Sequence, residues 1–353
     1  MVRNPGSYEA TVRAGPSARL TLPIALDFMT TSVLIPSYQR PAQLMRCIES
    51  LRRQTVMPSE VIIVWQGQDE PTRDICEHSR SEWLKVVHCP SVGIVPAENA
   101  ALRAASGEIV LLIDDDAVAP GRWLERHLVH YQDPTVGAIG GPADNFHPNG
   151  DPFPRRAVRP VGRLSWYGKL HGNMYDQNLA WRTNALEEVH HLVGYNLSFR
   201  RIALETFEAE LLPYWQMFEL DACLTIRSAG YRILFDYSNV VDHHPTNTAY
   251  EGGRQGDLAI KIYHGAYNHA FVLAKHSRGL QLAARMIYLL LAGSVGSPGM
   301  AAAALAVARY GRPVRELKIL WNTWVHRIRG WRAGVKRRGV NTQGSRLLAD
   351  SHA

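Results

Sequence analysis

The sequence predicts an α/β fold, a mostly parallel sheet flanked by helices and followed by a helical C-terminal extension. Three observations carry that expectation. Short apolar runs alternate with helix-period segments over residues 31–117, as a doubly wound sheet requires. Turn-forming residues mark most changes of period. Beyond about residue 254 the strand signal gives way to helical periodicity that runs to about residue 338.

In chain order, "TSVLIPSY" is a β-rich run, and "PAQLMRCIESLRRQT" places Leu44, Ile48 and Leu51 at helical spacing, with Pro41 suited to a first turn. "EVIIVWQG" reads as a buried strand, residues 70–81 as a polar helix, "KVVHCP" as a strand and "PAENAALRAAS" as a helix closed by Gly107. "EIVLLI" is then a strand that runs into Asp114, Asp115 and Asp116. After "VGAIGGPADN", a strand and turn, residues 146–181 lose periodicity and are rich in Pro, Gly, Arg and aromatics, the mark of a functional loop. Regular structure resumes with "VGYNLSFRR", the helix "FELDACLTIRSAG" and the strand "YRILFD", and "SNVVDHHPT" follows. Residues 286–308 carry no charge, but Gly293, Gly296, Pro298 and Gly299 interrupt them, so two short helices are expected rather than a membrane span.

With 46% hydrophobic and 20% charged residues, the 353-residue chain is ordinary globular material. Four dispersed cysteines without a CxxC pair exclude a zinc ribbon and a disulfide framework, and make a reducing compartment the expectation. Residues 1–30 lack the apolar region of a secretory signal and read as a flexible lead-in, and 341–353 as a flexible tail. The net charge of +7 is concentrated in residues 309–338, where ten Lys/Arg meet the single acid Glu316. There Leu320, Trp321, Trp324, Val325, Ile328 and Trp331 share a helical face. Such a stripe suits either an interfacial membrane helix or packing on the chain's own domain. Nothing in it resembles a nucleic-acid-binding fold.

Ligands of doubly wound sheets bind at the carboxyl ends of strands. Pro36-Ser37-Tyr38, Trp65-Gln66-Gly67 and Asp114-Asp115-Asp116 all sit at such ends and are expected to face one crevice. Asp114 and Asp116 form a D-x-D that can bind a divalent cation, Mg2+ or Mn2+, through hard oxygen ligands; a solvated turn or helix cap is the alternative. Glu219 and Asp221 open a later helix, and His243 and His244 follow the next strand.

In that order and spacing the segments "VLIPSYQRPAQLMRCIESLRRQT", "VIIV", "AENAALRAASGEIVLLIDDD", "GYNLSFRR" and "ELDACLTIRSAGYRILFDYSNVVDHH" resemble family-2 glycosyltransferases of GT-A fold, over about residues 32–244. The resemblance implies a Rossmann-like three-layer sandwich over 31–250, with a nucleotide half at 31–117 and an acceptor half at 118–250, followed by a helical, basic and amphipathic region at 251–340. It implies inverting transfer of a sugar from a UDP-, dTDP- or GDP-linked donor to a saccharide or lipid-linked saccharide. Envelope polysaccharide or glycolipid synthesis is the implied setting, with the protein peripheral on the cytoplasmic face of a membrane through residues 280–338. Residue by residue, Asp114 matches the carboxylate near the donor ribose, and Asp116 and His243 the metal ligands. Glu219 matches the catalytic base, with Asp221 the second candidate. Pro36, Ser37, Tyr38, Arg40, Asn99 and Asp115 fall in the donor site. Trp65 and Gln66 stand where the family commonly has Asp, and Glu98 where Arg or Lys often precedes the asparagine. Trp166, Tyr167, Asn173, Trp181 and Asn196 are acceptor candidates, and His190-His191 belongs to the same region. Two alternatives stay open: a degenerate, non-catalytic sugar-binding scaffold, and a haloacid-dehalogenase-like phosphatase with Asp114 as nucleophile, for which no downstream Lys or second acidic pair is found.

Overall fold

A computed structural model describes residues 29–156, 161–172, 178–179, 185–213, 217–245, 257–294, 297–311 and 313–338. The expected tail and nearly all of the expected lead-in lie outside the described residues. The first half runs β1 (Thr31–Ser37), α1 (Pro41–Arg52), β2 (Glu60–Gln66), α2 (Glu70–His78), β3 (Leu84–Cys89), α3 (Ile94–Ala104) and β4 (Ile109–Leu112). β1 is buried along its whole length, as a central parallel strand covered on both faces must be. It pairs in parallel with β2 on one side and β4 on the other, and β2 pairs in parallel with β3. α1 begins with Pro41 and buries Leu44, Cys47, Ile48 and Leu51 on the sheet. α2 is capped by Asp69, which accepts from Thr72 N–H, and ends earlier than its composition suggests because Ser81 bridges to Leu84 instead.

The second half runs β5 (Ala117–Val118), α4 (Trp123–Leu128), β6 (Val136–Gly140), β7 (Ala143–Asn145), β8 (Arg155–Arg156), β9 (Arg163–Leu164), β10 (Leu170–His171), β11 (Asn178–Leu179), β12 (Leu186–Glu188), β13 (Leu197–Arg200), α5 (Phe218–Ser228), β14 (Arg232–Asp236) and β15 (Val241–His243). The main sheet has eight strands in the order β12-β14-β6-β13-β4-β1-β2-β3. It is mixed, since β13 lies antiparallel between β4 and β6. The stretch read as irregular contains β8 to β11, whose two-residue strands are too short to leave a period in the sequence. A second, three-stranded sheet, β5-β15-β7, sets His243 opposite Ala117 on one side and Asn145 on the other. Segments remote in the chain meet there.

The extension consists of α6 (Leu258–Lys275), α7 (Gly279–Leu291), the hairpin β16 (Gly293–Ser294) and β17 (Ser297–Pro298), α8 (Met300–Tyr310) and α9 (Pro313–Arg337). The uncharged run thus divides into helices at the Gly/Pro interruption. α9 lies along α6 so closely that a Cβ on Gly330 or Gly334 would stand 2.2 Å from the carbonyl oxygen of Tyr267 or Phe271. Its buried face is Thr323, Arg327, Gly330 and Gly334. Of the apolar stripe, Leu320, Trp324 and Val325 are half-buried, while Trp321, Ile328 and Trp331 remain exposed. Among the described residues no helix is long and apolar enough to cross a membrane.

Candidate active site

Asp114, Asp115 and Asp116 follow β4 at the carboxyl end of the sheet, where Ala117 N–H donates to the Asp114 carbonyl and turns the chain into β5. Their side chains diverge. Asp115 is buried, with Ser37 Oγ donating to Oδ2 and Arg40 Nη1 to Oδ1, each at 2.7 Å. The same Arg40 nitrogen donates to Asp116 Oδ2 at 2.7 Å. Burial raises the Asp115 carboxyl to about 7 against the pull of Arg40. Asp116 Oδ1 and Asp114 Oδ2 instead face His243 Nε2, at 3.2 and 3.5 Å.

β15 delivers His243, and its Nδ1–H donates to Asn145 Oδ1 at 2.7 Å. Asn145 is itself held, because Asn178 Oδ1 accepts from its N–H at 2.6 Å and its Nδ2 at 3.1 Å. A proton fixed on Nδ1 directs Nε2 to the carboxylates, the arrangement of a metal-ligating histidine with an outer partner. Burial alone would lower the imidazole, but hydrogen bonds to Asp114 and Asp116 and their charges outweigh it and raise it to about 9. One ligand atom from each of Asp114, Asp116 and His243 lies within 4.8 Å of the others. Two carboxylate oxygens and an imidazole nitrogen are a donor set that could hold a divalent cation.

α5 begins behind Met217, a non-glycine residue at φ 82°, a strained conformation kept only where the surroundings hold it. Glu219 is buried, and its Oε1 accepts from Gly194 N–H at 3.4 Å. The next residue, Tyr195, places its ring 5.1 Å from that of His243. Gly194-Tyr195 therefore joins Glu219 to the cluster of Asp114, Asp116 and His243. Asp221 is engaged elsewhere: its oxygens accept from Lys275 Nζ and His276 Nε2, each at 2.8 Å. Burial would raise this carboxyl, yet His276 and Lys275 hold it below the usual carboxylate range. Lys275 Nζ also binds Glu208 at 2.9 Å, and Glu208 binds Arg337 Nε of α9 at 3.2 Å.

Residues 32–206 match the family described as Glycosyl transferase family 2. The chain belongs to this family. Its architecture is that of GT-A glycosyltransferases. Among curated relatives, the glucosyl-dolichyl phosphate glucuronosyltransferase of Haloferax volcanii is 25% identical over 236 residues, 61% of this chain and 69% of the relative. Matches to three other curated glycosyltransferases span only 34% to 41% of the relative's own length. The Pyrobaculum calidifontis mannosyltransferase PcManGT, solved with GDP-Man and Mn2+, shares the fold at a TM-score of 0.51 and 22% identity, covering 90% of this chain and 86% of that one. S. aureus TarS 1-349 with UDP-GlcNAc does so at 0.54 and 16%, covering 87% and 91%.

The remaining candidate residues of this family-2 chain divide into cleft and scaffold. Pro36 is buried in β1 and Tyr38 half-buried just after it. Trp65 stacks on His88 at 3.8 Å. Gln66 turns inward, its Nε2 donating to Ser37 O at 3.2 Å and its Oε1 accepting from Gly93 N–H at 2.7 Å. Asn99 fastens the 206–207 segment through Phe207 N–H and O and Thr206 Oγ1. Asn196 is a fully buried hub that accepts from Trp123 Nε1 and donates to the Pro142 and Asn239 carbonyls. The side-chain amides of Gln66, Asn99 and Asn196 are thus engaged within the scaffold. Glu98, buried on α3 with no partner for Oε2, is raised well above the ordinary carboxyl range by burial and by the charges of Asp114 and Glu219. Trp166 and Tyr167 lie on the exposed β9–β10 turn against α7. His191 is buried and His190 half-buried. Asn173 and Trp181 lie outside the described residues. Sequence reasoning missed Asn145, Asn178 and Tyr195; their trace was slight, an Asn closing "GPADN" and a Tyr inside "VGYNLS".

Proposed function

We propose that the protein moves a glycosyl group from a nucleoside-diphosphate sugar, UDP-, dTDP- or GDP-linked, to a hydroxyl of a saccharide or lipid-linked saccharide, with inversion at the anomeric carbon. The observation that carries this reading is the cluster of Asp114, Asp116 and His243, joined to Glu219 through Gly194-Tyr195. The family match and the nucleotide sugars bound in two solved proteins of the same fold support it. The phosphatase alternative finds no support in them. In this reading residues 31–117 hold the donor nucleotide and 118–250 the acceptor.

Asp114, Asp116 and His243 would hold a divalent cation, which when bound supplies positive charge to the donor diphosphate and to the leaving group. Ser37 and Arg40 clamp Asp115 so that its neighbours keep their directions. Asp114, the most exposed of the three aspartates, would also meet the ribose. An acceptor hydroxyl enters opposite the departing diphosphate, and Glu219 takes its proton as the new C–O bond forms. The bond from the anomeric carbon to the diphosphate oxygen breaks, and its electron pair leaves on the nucleoside diphosphate. Glu219 rather than Asp221 has this role because both Asp221 oxygens are committed to Lys275 and His276.

A lipid-linked acceptor, envelope polysaccharide or glycolipid synthesis, and a peripheral position on the cytoplasmic membrane face complete the proposal. The relative named for glucosyl-dolichyl phosphate supports the first of these. Thermal shift of the full chain with UDP, dTDP or GDP and Mn2+ or Mg2+ tests the donor site, since a bound ligand raises the midpoint by mass action. One nucleotide is expected to stabilise, and more so with the ion. Glu219→Gln should keep that shift while transfer falls on the order of a thousandfold. Absence of any nucleotide shift would sink the reading, and full transfer by Glu219→Gln would remove the base from this residue.

A further inference from the structure

Three helices of the extension expose apolar residues where water-facing helices carry charge. On α7 the outward positions are Leu280, Ala283, Ile287 and Leu291, one stripe at helical spacing, with Leu280 83% and Ile287 55% exposed. α8 reads MAAAALAVARY, with Arg309 its one charged residue, and Met300, Ala301, Ala304, Leu305 and Ala308 face outward. The start of α9 adds Val314, Leu317 and Trp321 at 81%, 60% and 66% exposure. α8 touches both α7 and α9, so the three helices bearing these stripes are neighbours. A patch of this kind on a protein surface marks an interaction site. Its rim is basic: Arg278, Arg309, Arg315 and Lys318 are exposed, and Glu316 is the only acid in α7, α8 and α9.

We infer that this three-helix face docks on a bilayer containing anionic lipid. The apolar side chains enter the boundary between headgroups and acyl chains, and the arginines and lysine meet the headgroup phosphates. A second copy of the chain would set this basic rim against itself, whereas anionic lipid complements it. With no spanning helix among the described residues, the contact lies in the plane of the interface. The β9–β10 turn packs on another side of α7: the Tyr167 ring lies on half-buried Tyr288 at 5.2 Å, and buried Arg285 Nε donates to the Trp166 carbonyl at 3.2 Å. Trp166 and Tyr167, both exposed, therefore stand where helix α7 meets the acceptor half. On the transferase reading, on which this last step rests, the acceptor is a saccharide linked to a lipid of the same membrane.

The full chain, without donor or acceptor, is sedimented with vesicles of phosphatidylglycerol and phosphatidylcholine and with vesicles of phosphatidylcholine alone. Binding to the anionic vesicles is expected, weakening with salt. The combined variant Ile287→Glu/Leu305→Glu/Trp321→Glu should bind on the order of tenfold more weakly, with an unchanged circular dichroism spectrum. Absence of vesicle binding by the natural chain, or equal binding by the variant, overturns the docking face. A dimer in gel filtration that the variant abolishes, without vesicle binding, assigns the face to a second copy and also overturns it. Vesicle binding with no nucleotide shift leaves the face standing and removes the transferase reading alone.

Discussion

Glu98 and Asp221 are both buried acids near the reacting region, and the chain treats them in opposite ways. Lys275 and His276 each hold one oxygen of Asp221 and keep its carboxyl below the usual range, whereas burial and the charges of Asp114 and Glu219 push the Glu98 carboxyl well above it. Because its folded-state carboxyl titrates above the unfolded one, Glu98 lowers stability as pH rises past the usual carboxyl range. Glu98→Gln should therefore be close to neutral near pH 5 and increasingly stabilising towards pH 8, a trend measured by urea midpoints across that range. Asp221→Asn is expected to cost roughly 3 kcal/mol by leaving Lys275 and His276 short of a buried counter-charge. The folded fraction should nonetheless retain turnover, the reverse of Glu219→Gln, and kcat measured beside the midpoint separates the two. Which residues were acidic, and that three of them close a strand, was legible in the sequence. Where each side chain points was not, since Ser37 and Arg40 hold Asp115 while Asp114 and Asp116 each turn an oxygen to His243, contacts made by residues remote in the chain.

The parallel half of the sheet was readable because each strand is long and each helix shows its period, as in β1 and α1. The small sheet was not. β5 and β15 span two and three residues and acquire meaning only by pairing across more than a hundred positions of chain. His243 was singled out through family resemblance rather than through any local pattern, and the fold brings its Nε2 to 3.5 and 3.2 Å from Asp114 and Asp116. α9 misled in a different way, since its most visible feature, the tryptophan stripe, is not the face it buries. The inward face is marked by Gly330 and Gly334, spaced one turn apart and without side chains to betray it. Gly330→Leu should force α9 off α6, costing roughly 1–3 kcal/mol or more by overpacking. Limited proteolysis should then cut within α9 while nucleotide-induced stabilisation of the remaining domain persists.

Across the whole molecule, burial holds His127, His191 and His269 at about 4, each neutral in the folded chain. Their folded values lie below the unfolded one near 6.5, so protons bind the unfolded chain first, and stability is lost as pH falls from about 6.5 towards 4. Each histidine contributes on the order of 2–3 kcal/mol to that loss. His269, whose ring nitrogens both lack hydrogen-bond partners, isolates the effect. His269→Leu should raise the urea midpoint at pH 5 relative to the natural chain and change it little at pH 7.5. The buried ion pairs that run from Asp221 through Lys275 to Glu208 and Arg337 tie the helix carrying Glu219 to both α6 and α9. On the docking and transferase proposals together, the base would thereby be held at one height above the headgroups. An acceptor would be extended only when its terminal sugar stood at that height, so the length of the glycan, and not its chemistry alone, would select what is glycosylated.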